Sequence, residues 1–280
     1  MQIITGSFVK EHLPYQSPEH HKGLGGTALL LCGSEGYAGA AALAAEGCYR
    51  MGAGIVRGIL PAEIYPIVSA RVPEAVFTLT EPNAAGLTFC RQTKSAGLVG
   101  CGLGNTAETK SAVEEILAAE TVPLVLDADG LNVLAGRIEY LGKYQGDLVI
   151  TPHPGEAARL LGIPVTEVQE NRERVVLRLA EKGNCVAVLK GHGTLVADPN
   201  GRVVRCDGGN AGMGKGGSGD VLAGMTVSLL AQGVPAFESA VTAVYLHAAA
   251  GDRAAEKLSK RGMLARDLLT YLPEVLAEFE

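Results

Sequence analysis

The chain has 280 residues, 47% of them hydrophobic, enough to bury a core in one large domain or two small ones. Its 30 acidic and 24 basic residues give a net charge of −6 with no basic cluster, which argues against a nucleic-acid partner. Tryptophan is absent and aromatics make up 5%, which argues against aromatic ligand cages and base-stacking platforms.

Six cysteines (Cys32, Cys48, Cys90, Cys101, Cys185 and Cys206) stand without CxxC pairs, mostly inside apolar runs, as expected of reduced core residues in a cytoplasmic protein. Met1 to Lys10 lacks the apolar core of a signal peptide, and no apolar run approaches the ~20 residues of a membrane span. A soluble protein with no membrane partner is the expectation.

Residues 1–24 hold three of the six histidines and two prolines with little periodicity, and read as an N-terminal arm that other subunits could order. The apolar run Thr27 to Cys32 predicts the first strand, and Gly33-Ser34-Glu35-Gly36 turns into an alanine-rich helix from Tyr37 to Met51. Gly52-Ala53-Gly54 stops that helix before a strand over Ile55 to Leu60, so the chain opens with a βαβ unit and a largely parallel sheet. A short helix near Ala62 to Ala70, strands at Glu74 to Leu79 and Ala96 to Val99, a helix from Thr106 to Glu120 and a strand at Pro123 to Asp127 continue the alternation. The pattern predicts one α/β domain over residues 1–280, with ligands at the carboxyl ends of its strands, where Gly33-Ser34, Gly100 to Gly104 and Asp127-Ala128-Asp129 fall.

Asp147 to Ile150 predicts another buried strand, ending in Thr151-Pro152-His153-Pro154-Gly155-Glu156. The two prolines hold His153 in a stiff extended loop, a position that favours function over structure. Helices follow at Glu156 to Leu161 and Val165 to Glu181. The strand Cys185 to Leu189 leads into Lys190-Gly191-His192-Gly193-Thr194, a loop able to wrap a nucleotide or to serve as a plain surface turn. Leu195 to Ala197 and Val203 to Arg205 flank Asp198-Pro199-Asn200-Gly201, the signature of an antiparallel hairpin at a sheet edge. The remainder reads as helices at Asp220 to Gln232, Ala236 to Leu258 and Leu264 to Tyr271, and His192 and His247, taken alone, as ordinary satisfied histidines.

The stretch Gly208 to Gly219 is too rich in glycine to be a packed element, and it runs directly into the apolar helical stripe beginning Val221-Leu222-Ala223. It reads as a loop feeding a helix N-terminus, where free N–H groups and the helix dipole hold phosphate without many side-chain cations. A carboxylate at Asp220 would repel that phosphate, so Asp220 either caps the helix or takes a proton from a reacting hydroxyl. A Walker A match from Gly209 to Lys215 fails at Gly216, where Ser or Thr must hold magnesium. Gly102-Leu103-Gly104, with Asp127 ending the next strand, imitates a dinucleotide-binding fingerprint, but it follows at least two α/β units instead of opening its own.

Taken together, these loops resemble the ribokinase-like superfamily and, within it, the ADP/ATP-dependent NAD(P)H-hydrate dehydratases (the YjeF C-terminal domain family). The resemblance is carried by His21-Lys22-Gly23, Gly33 to Ala40, Gly102-Leu103-Gly104, Asp127 to Asn132, Thr151 to Glu156, Lys190 to Thr194, and Gly209 to Met213 through Asp220. It implies a mostly parallel central sheet flanked by helices with an antiparallel edge hairpin, and repair of the 6S hydrate of NADH or NADPH at the expense of ADP or ATP. The hydrate's hydroxyl would be phosphorylated and phosphate would then leave. The resemblance further implies that Asp220 is the base and that the N–H groups of Gly217, Ser218 and Gly219 receive the phosphoryl group. Ala40, Gly104, His153 and Asp220 would contact the hydrate, and Lys190, Gly191, His192, Gly193, Thr194 and Gly219 the adenine nucleotide. Mg2+ would neutralise the nucleotide, with Glu156 ordering one of its waters; coupling to an NAD(P)H-hydrate epimerase and a homotetramer are also implied. Ser218 stands where threonine is commoner, and Lys215 where relatives carry a small polar residue; Lys215 could assist the phosphates or face solvent.

Three other readings remain at the level of sequence. A vitamin-precursor kinase of the same fold would share the Gly-Ser-Gly-Asp chemistry, an NAD-dependent oxidoreductase would use Gly102 to Gly104, and a nucleotide sensor would bind without turnover.

Overall fold

The structure, a computed structural model, describes residues 1–80, 94–119 and 121–280; Cys90 and Glu120 lie outside them. Among the described residues, ten strands form one sheet: β1 Gln2–Ile3, β2 Thr27–Leu31, β3 Ile55–Leu60, β4 Val76–Leu79, β5 Ser95–Val99, β6 Leu124–Leu126, β7 Leu148–Ile150, β8 Val186–Leu189, β9 Thr194–Ala197 and β10 Val203–Cys206. Their spatial order is β1-β10-β9-β8-β7-β6-β5-β2-β3-β4. β9 runs against both neighbours, and the other adjacent pairs are parallel. The chain therefore has the ribokinase-like arrangement, with the antiparallel β9–β10 hairpin toward one edge and β1 added outside it.

Central strands read as apolar runs because both faces of the sheet are covered. Alternate residues of β2 go opposite ways: Ala28 and Leu30 join one apolar cluster, Leu29 and Leu31 the other. Val188 and Leu189 of β8 divide in the same manner. The first cluster is completed by the helices Ala38–Arg50, Ser218–Ala231, Ala236–Leu258 and Ala265–Leu276, the second by Ala107–Ala119, Pro154–Leu161 and Arg172–Gly183. Cys32, Cys48, Cys101, Cys185 and Cys206 are free and buried, as their apolar surroundings predict.

Two expectations change. Residues 2–12 of the expected arm are ordered by this chain itself: β1 pairs with β10, Ile4 N donates to the Arg205 carbonyl at 2.9 Å, and the helix Gly6–His12 buries Val9 against the rest of the fold. A seven-residue helix spans two turns, too short for periodicity to reveal it. The helix predicted from Val165 to Glu181 is two, Val165–Glu170 and Arg172–Gly183, because Asn171 leaves helical geometry at φ −131° and ψ 41°.

The helix Ser218–Ala231 is buried on nearly every side and crosses Ala38–Arg50 at very short range. A Cβ on Gly224 would stand 2.2 Å from the Ala44 carbonyl oxygen, so the crossing exists only because that side chain is absent. Among the described residues, no helix is long and apolar enough to cross a membrane.

Candidate active site

Five adjacent parallel strands, β8, β7, β6, β5 and β2, end at one rim of the sheet. The loops singled out by sequence continue from those ends: Gly33-Ser34 from β2, Cys101 to Gly104 from β5, Asp127 to Asn132 from β6, Thr151 to Glu156 from β7 and Lys190 to Thr194 from β8. The helix Ser218–Ala231 packs over β5 and β6 and brings its N-terminus to the same rim.

That terminus begins at Gly217, whose φ of 97° suits glycine and where a Cβ would lie 2.6 Å from Leu43 Cδ1. No side-chain cap hydrogen bond is made there, so the capping reading of Asp220 fails; of the first-turn N–H groups, that of Ser218 makes a long bond of 3.4 Å to the Lys215 carbonyl. The Ser218 hydroxyl is buried and has no hydrogen-bond partner among the described residues. His247, from the helix Ala236–Leu258, places Nε2 2.9 Å from the Ser218 carbonyl oxygen. Burial pushes His247 down to about 4, so the ring is neutral and Nε2 donates to that carbonyl.

Beside this turn sits a charged cluster. Lys190 Nζ donates to Asp127 Oδ1 at 2.6 Å and stands 4.0 Å from Glu156 Oε2, and a Cβ on Gly219 would be 3.3 Å from the same ammonium. Asp220, Asp127 and Cys101 bring ligand-type atoms within 4.8 Å of one another. Thiol sulfur is a poor partner for Mg2+, and the Lys190 ammonium already compensates Asp127, so these three residues are not assigned a metal. Burial first, and next the Asp127 charge, push the Asp220 carboxyl up to about 6, which leaves it mostly ionised at neutral pH.

His153 and Glu156 form a reciprocal cap on the helix Pro154–Leu161. His153 Nδ1 accepts from Gly155 N at 2.9 Å, Glu156 Oε2 accepts from His153 N at 2.8 Å, and His153 Nε2 lies 3.3 Å from Glu156 Oε1. The proline-framed histidine thus has a local structural role while keeping half of its side chain exposed. Burial, with Lys190 and Arg159 nearby, lowers its pKa. Burial pushes Glu156 up to about 7, and Lys190 pulls the other way. A carboxylate oxygen suits Mg2+, and because both Glu156 oxygens are engaged by the loop, Glu156 fits contact through water better than direct ligation.

On the far side of the rim, Gly104 N donates to Asp129 Oδ2 at 2.8 Å, and the Ala40 methyl is 2.8 Å from where a Cβ on Gly102 would stand. The dinucleotide reading fails here. Its Gly104 amide is taken by a carboxylate, and Asp127, which would have to meet a ribose, is buried against Lys190.

The Lys190 to Thr194 loop is held from behind. Arg172 Nη2 donates to the carbonyls of Leu189, Lys190 and Gly193 at 3.0, 3.3 and 3.4 Å, and Thr194 Oγ1 donates to Gly191 O at 2.9 Å. Lys190 turns toward Asp220, whereas His192 and Gly193 face a cavity of about 340 Å3 that Arg172, Arg205 and Asp207 also line and to which none of Asp127, Glu156 or Asp220 contributes. The nucleotide loop predicted as one unit therefore faces two ways.

The glycine stretch is fastened at both ends. Asn210 Nδ2 donates to Gly251 O at 2.9 Å and to Asp252 Oδ1 at 3.0 Å, and Gly209 N donates to Asp252 Oδ2 at 2.8 Å. Lys215 is partly exposed and turns its Nζ to the carbonyls of Arg261 and Met263, to both of which it donates. Sequence reading assigned no role to Arg172, Asp252 or His247. Asp127 was singled out by its place at a strand's carboxyl end and within the Asp127 to Asn132 motif, but was given no role beyond the dinucleotide imitation.

A family model described as NAD(P)H-hydrate dehydratase matches residues 28–274. The chain is 40% identical over 258 residues to the ADP-dependent (S)-NAD(P)H-hydrate dehydratase of Neisseria meningitidis, covering 90% of this chain and 86% of that one. It is 37% identical to the bifunctional NAD(P)H-hydrate repair enzyme Nnr of Moorella thermoacetica, covering 100% of this chain but 54% of the relative, so it spans about half the length of that protein. The crystal structure of the ADP/ATP-dependent NAD(P)H-hydrate dehydratase from Bacillus subtilis, co-crystallized with ATP and Mg2+, superposes with a TM-score of 0.92 at 35% identity and covers 100% of this chain and 99% of that one.

Proposed function

Because the chain belongs to the NAD(P)H-hydrate dehydratase family, we propose that residues 1–280 act as one catalytic unit that returns the 6S hydrate of NADH or NADPH to the reduced cofactor, spending ADP or ATP. The observation that carries this reading is the Asp220 carboxylate, half-buried in the first turn of an uncapped helix, with an ammonium beside the same turn.

Hydroxide is a poor leaving group at neutral pH and phosphate a good one, which is why the reaction consumes nucleotide. Asp220 takes the proton of the hydrate hydroxyl as that oxygen bonds to phosphorus. The N–H groups of Gly217, Ser218 and Gly219 face the charge that develops on the phosphoryl oxygens, and the unpartnered Ser218 hydroxyl adds a donor. Loss of phosphate with its C–O bonding pair, and of a proton from the neighbouring carbon, restores the double bond.

Ala40, Gly104 and His153 border the hydrate, while Lys190, Gly191, His192, Gly193 and Thr194, with Gly219, hold the nucleotide. Glu156 would help to hold Mg2+, which would supply neutralisation of nucleotide charge that a protein of net charge −6 lacks. A cytoplasmic homotetramer working after an NAD(P)H-hydrate epimerase completes the reading. The relative of twice the length, called a bifunctional repair enzyme, supports such a coupling.

The test is incubation with hydrated NADH and ADP or ATP, with and without Mg2+, following NADH absorbance. Recovery of NADH that requires nucleotide supports the dehydratase. Consumption of nucleotide with a vitamin-precursor alcohol and none with the hydrate would select the kinase reading instead.

A further inference from the structure

Asp127 has no part in the roles just given, yet it is the most enclosed carboxylate at the rim, 1% exposed. It holds Lys190 Nζ at 2.6 Å, and Glu156 flanks the same nitrogen at 4.0 Å. A Cβ on Gly219 would lie 3.3 Å from that nitrogen and 3.7 Å from Asp127 Oδ2. The ammonium is therefore fixed in the space that a missing side chain leaves at the helix terminus, one residue from Asp220. A lysine is a point charge on a flexible stem, and without a fixed partner it would follow the nucleotide's phosphates wherever they lay.

We propose that Asp127 is a positioning residue for phosphoryl transfer, holding the Lys190 ammonium against the first turn of Ser218–Ala231 so that this cation meets the phosphoryl group on its way to the substrate hydroxyl. The inference rests on the phosphoryl-transfer reading of the site. It gives the two halves of the Lys190 to Thr194 loop different duties, because His192 and Gly193 face the cavity behind it while Lys190 faces the transfer.

A cation fixed where charge develops favours the transition state over the bound nucleotide, which a mobile one does not. The step balances without any further reagent. The hydroxyl oxygen bonds to phosphorus, the bond from phosphorus to the nucleotide's bridging oxygen breaks with its electron pair leaving on the nucleotide, and the hydroxyl proton passes to Asp220. Lys190 keeps its proton throughout. Burial opposes its charge, but the Asp127 and Glu156 carboxylates and the hydrogen bond to Asp127 outweigh burial and hold its pKa above the ordinary lysine value.

The competing explanation is a buried ion pair that serves only the fold, and removing one partner of such a pair is destabilising because the other charge is left alone. Asp127→Asn, Lys190→Met and the double variant separate the two. Each single variant is expected to lower kcat at saturating ADP and hydrate about a hundredfold. The double variant should recover the thermal midpoint lost by the singles while remaining as slow as Lys190→Met. Recovery of kcat together with the midpoint, or a further loss of about a hundredfold when Asp127→Asn is added to Lys190→Met, overturns the proposal, because Asp127 would then not act through Lys190.

Binding provides a readout that does not need turnover. Lys190→Met should weaken ADP about tenfold and leave adenosine within about twofold, since a cation at the transfer point senses phosphate and not base, whereas Asp127→Asn, whose freed ammonium still follows the phosphates, should keep ADP within about twofold while kcat falls. Unchanged ADP affinity in Lys190→Met, or a loss in Asp127→Asn as large as in Lys190→Met, overturns the positioning role. A wild-type protein that returns no NADH with ADP or ATP overturns the dehydratase reading and leaves this binding comparison to be decided on its own.

Discussion

His247 donates from Nε2 to the carbonyl of Ser218 at 2.9 Å, linking the long helix Ala236–Leu258 to the residue between Gly217 and Gly219. Burial holds the imidazole at about 4, below the ordinary 6.5, so the folded protein resists protonation that the unfolded chain accepts. The contribution is fully present above the unfolded pKa and is lost as pH falls from about 6.5 toward 4, at most about 3 kcal/mol. His247→Gln, which keeps an N–H donor, should flatten this part of the pH–stability curve relative to wild type, as urea unfolding at several pH values would show.

Asp220 behaves in the opposite sense. Its folded pKa of about 6 lies above the unfolded value, so folding favours the protonated carboxyl and stability falls as pH rises between about 4 and 6. Asp220→Asn removes the buried charge and should raise stability at pH 7 by about 2 kcal/mol, read as a higher denaturant midpoint. The same variant should lose kcat by about a thousandfold or more while binding nucleotide.

In the proposed role of base, Asp220 acts in its ionised form. Below about pH 6 kcat/KM should drop tenfold per unit, with no matching loss of nucleotide affinity over the first unit. A flat profile between pH 7 and 5 would remove Asp220 from the role of base.

Gly224 allows the helix Ser218–Ala231 to meet Ala38–Arg50 backbone to backbone. Gly224→Ala would bring a methyl group to 2.2 Å from the Ala44 carbonyl oxygen, and the two helices must separate to admit it. A cost of about 2–3 kcal/mol is expected, together with lower kcat, because the displaced helix carries Asp220. Thermal melts and steady-state kinetics on the same preparation would measure both.

Ala128 adopts φ 49° and ψ −116° between the two aspartates that face Lys190 and Gly104. A side chain is strained in that region, and Ala128→Gly should raise stability by about 1 kcal/mol in denaturant unfolding. Activity should change little, since both carboxylates keep their partners.

Most of the sheet was legible because strands covered on both faces are apolar without interruption, and because glycines and prolines punctuate their ends. The run Thr27 to Leu31 could be little else, and Asp198-Pro199-Asn200-Gly201 named its own turn. The rim was legible as loops, since phosphate cradles are written in local glycines. What could not be read were bonds between distant positions: Arg172 behind the Lys190 loop, Asp252 on Asn210, Lys215 on the carbonyls of residues 261 and 263. Each is an ordinary charged residue on a helix or loop, and its partner is decided by packing. The two-turn helix Gly6–His12 escaped for a related reason, since its helical state depends on the surface it covers.

Gly208 to Gly219 would ordinarily be counted among the softest parts of a chain. With Asn210 clamped to Asp252 at one end and Lys215 hooked over the carbonyls of Arg261 and Met263 at the other, it is instead a mould set before any guest arrives. On the proposed reading a nucleotide would meet a finished surface, and little of its affinity would be consumed in freezing the backbone around it.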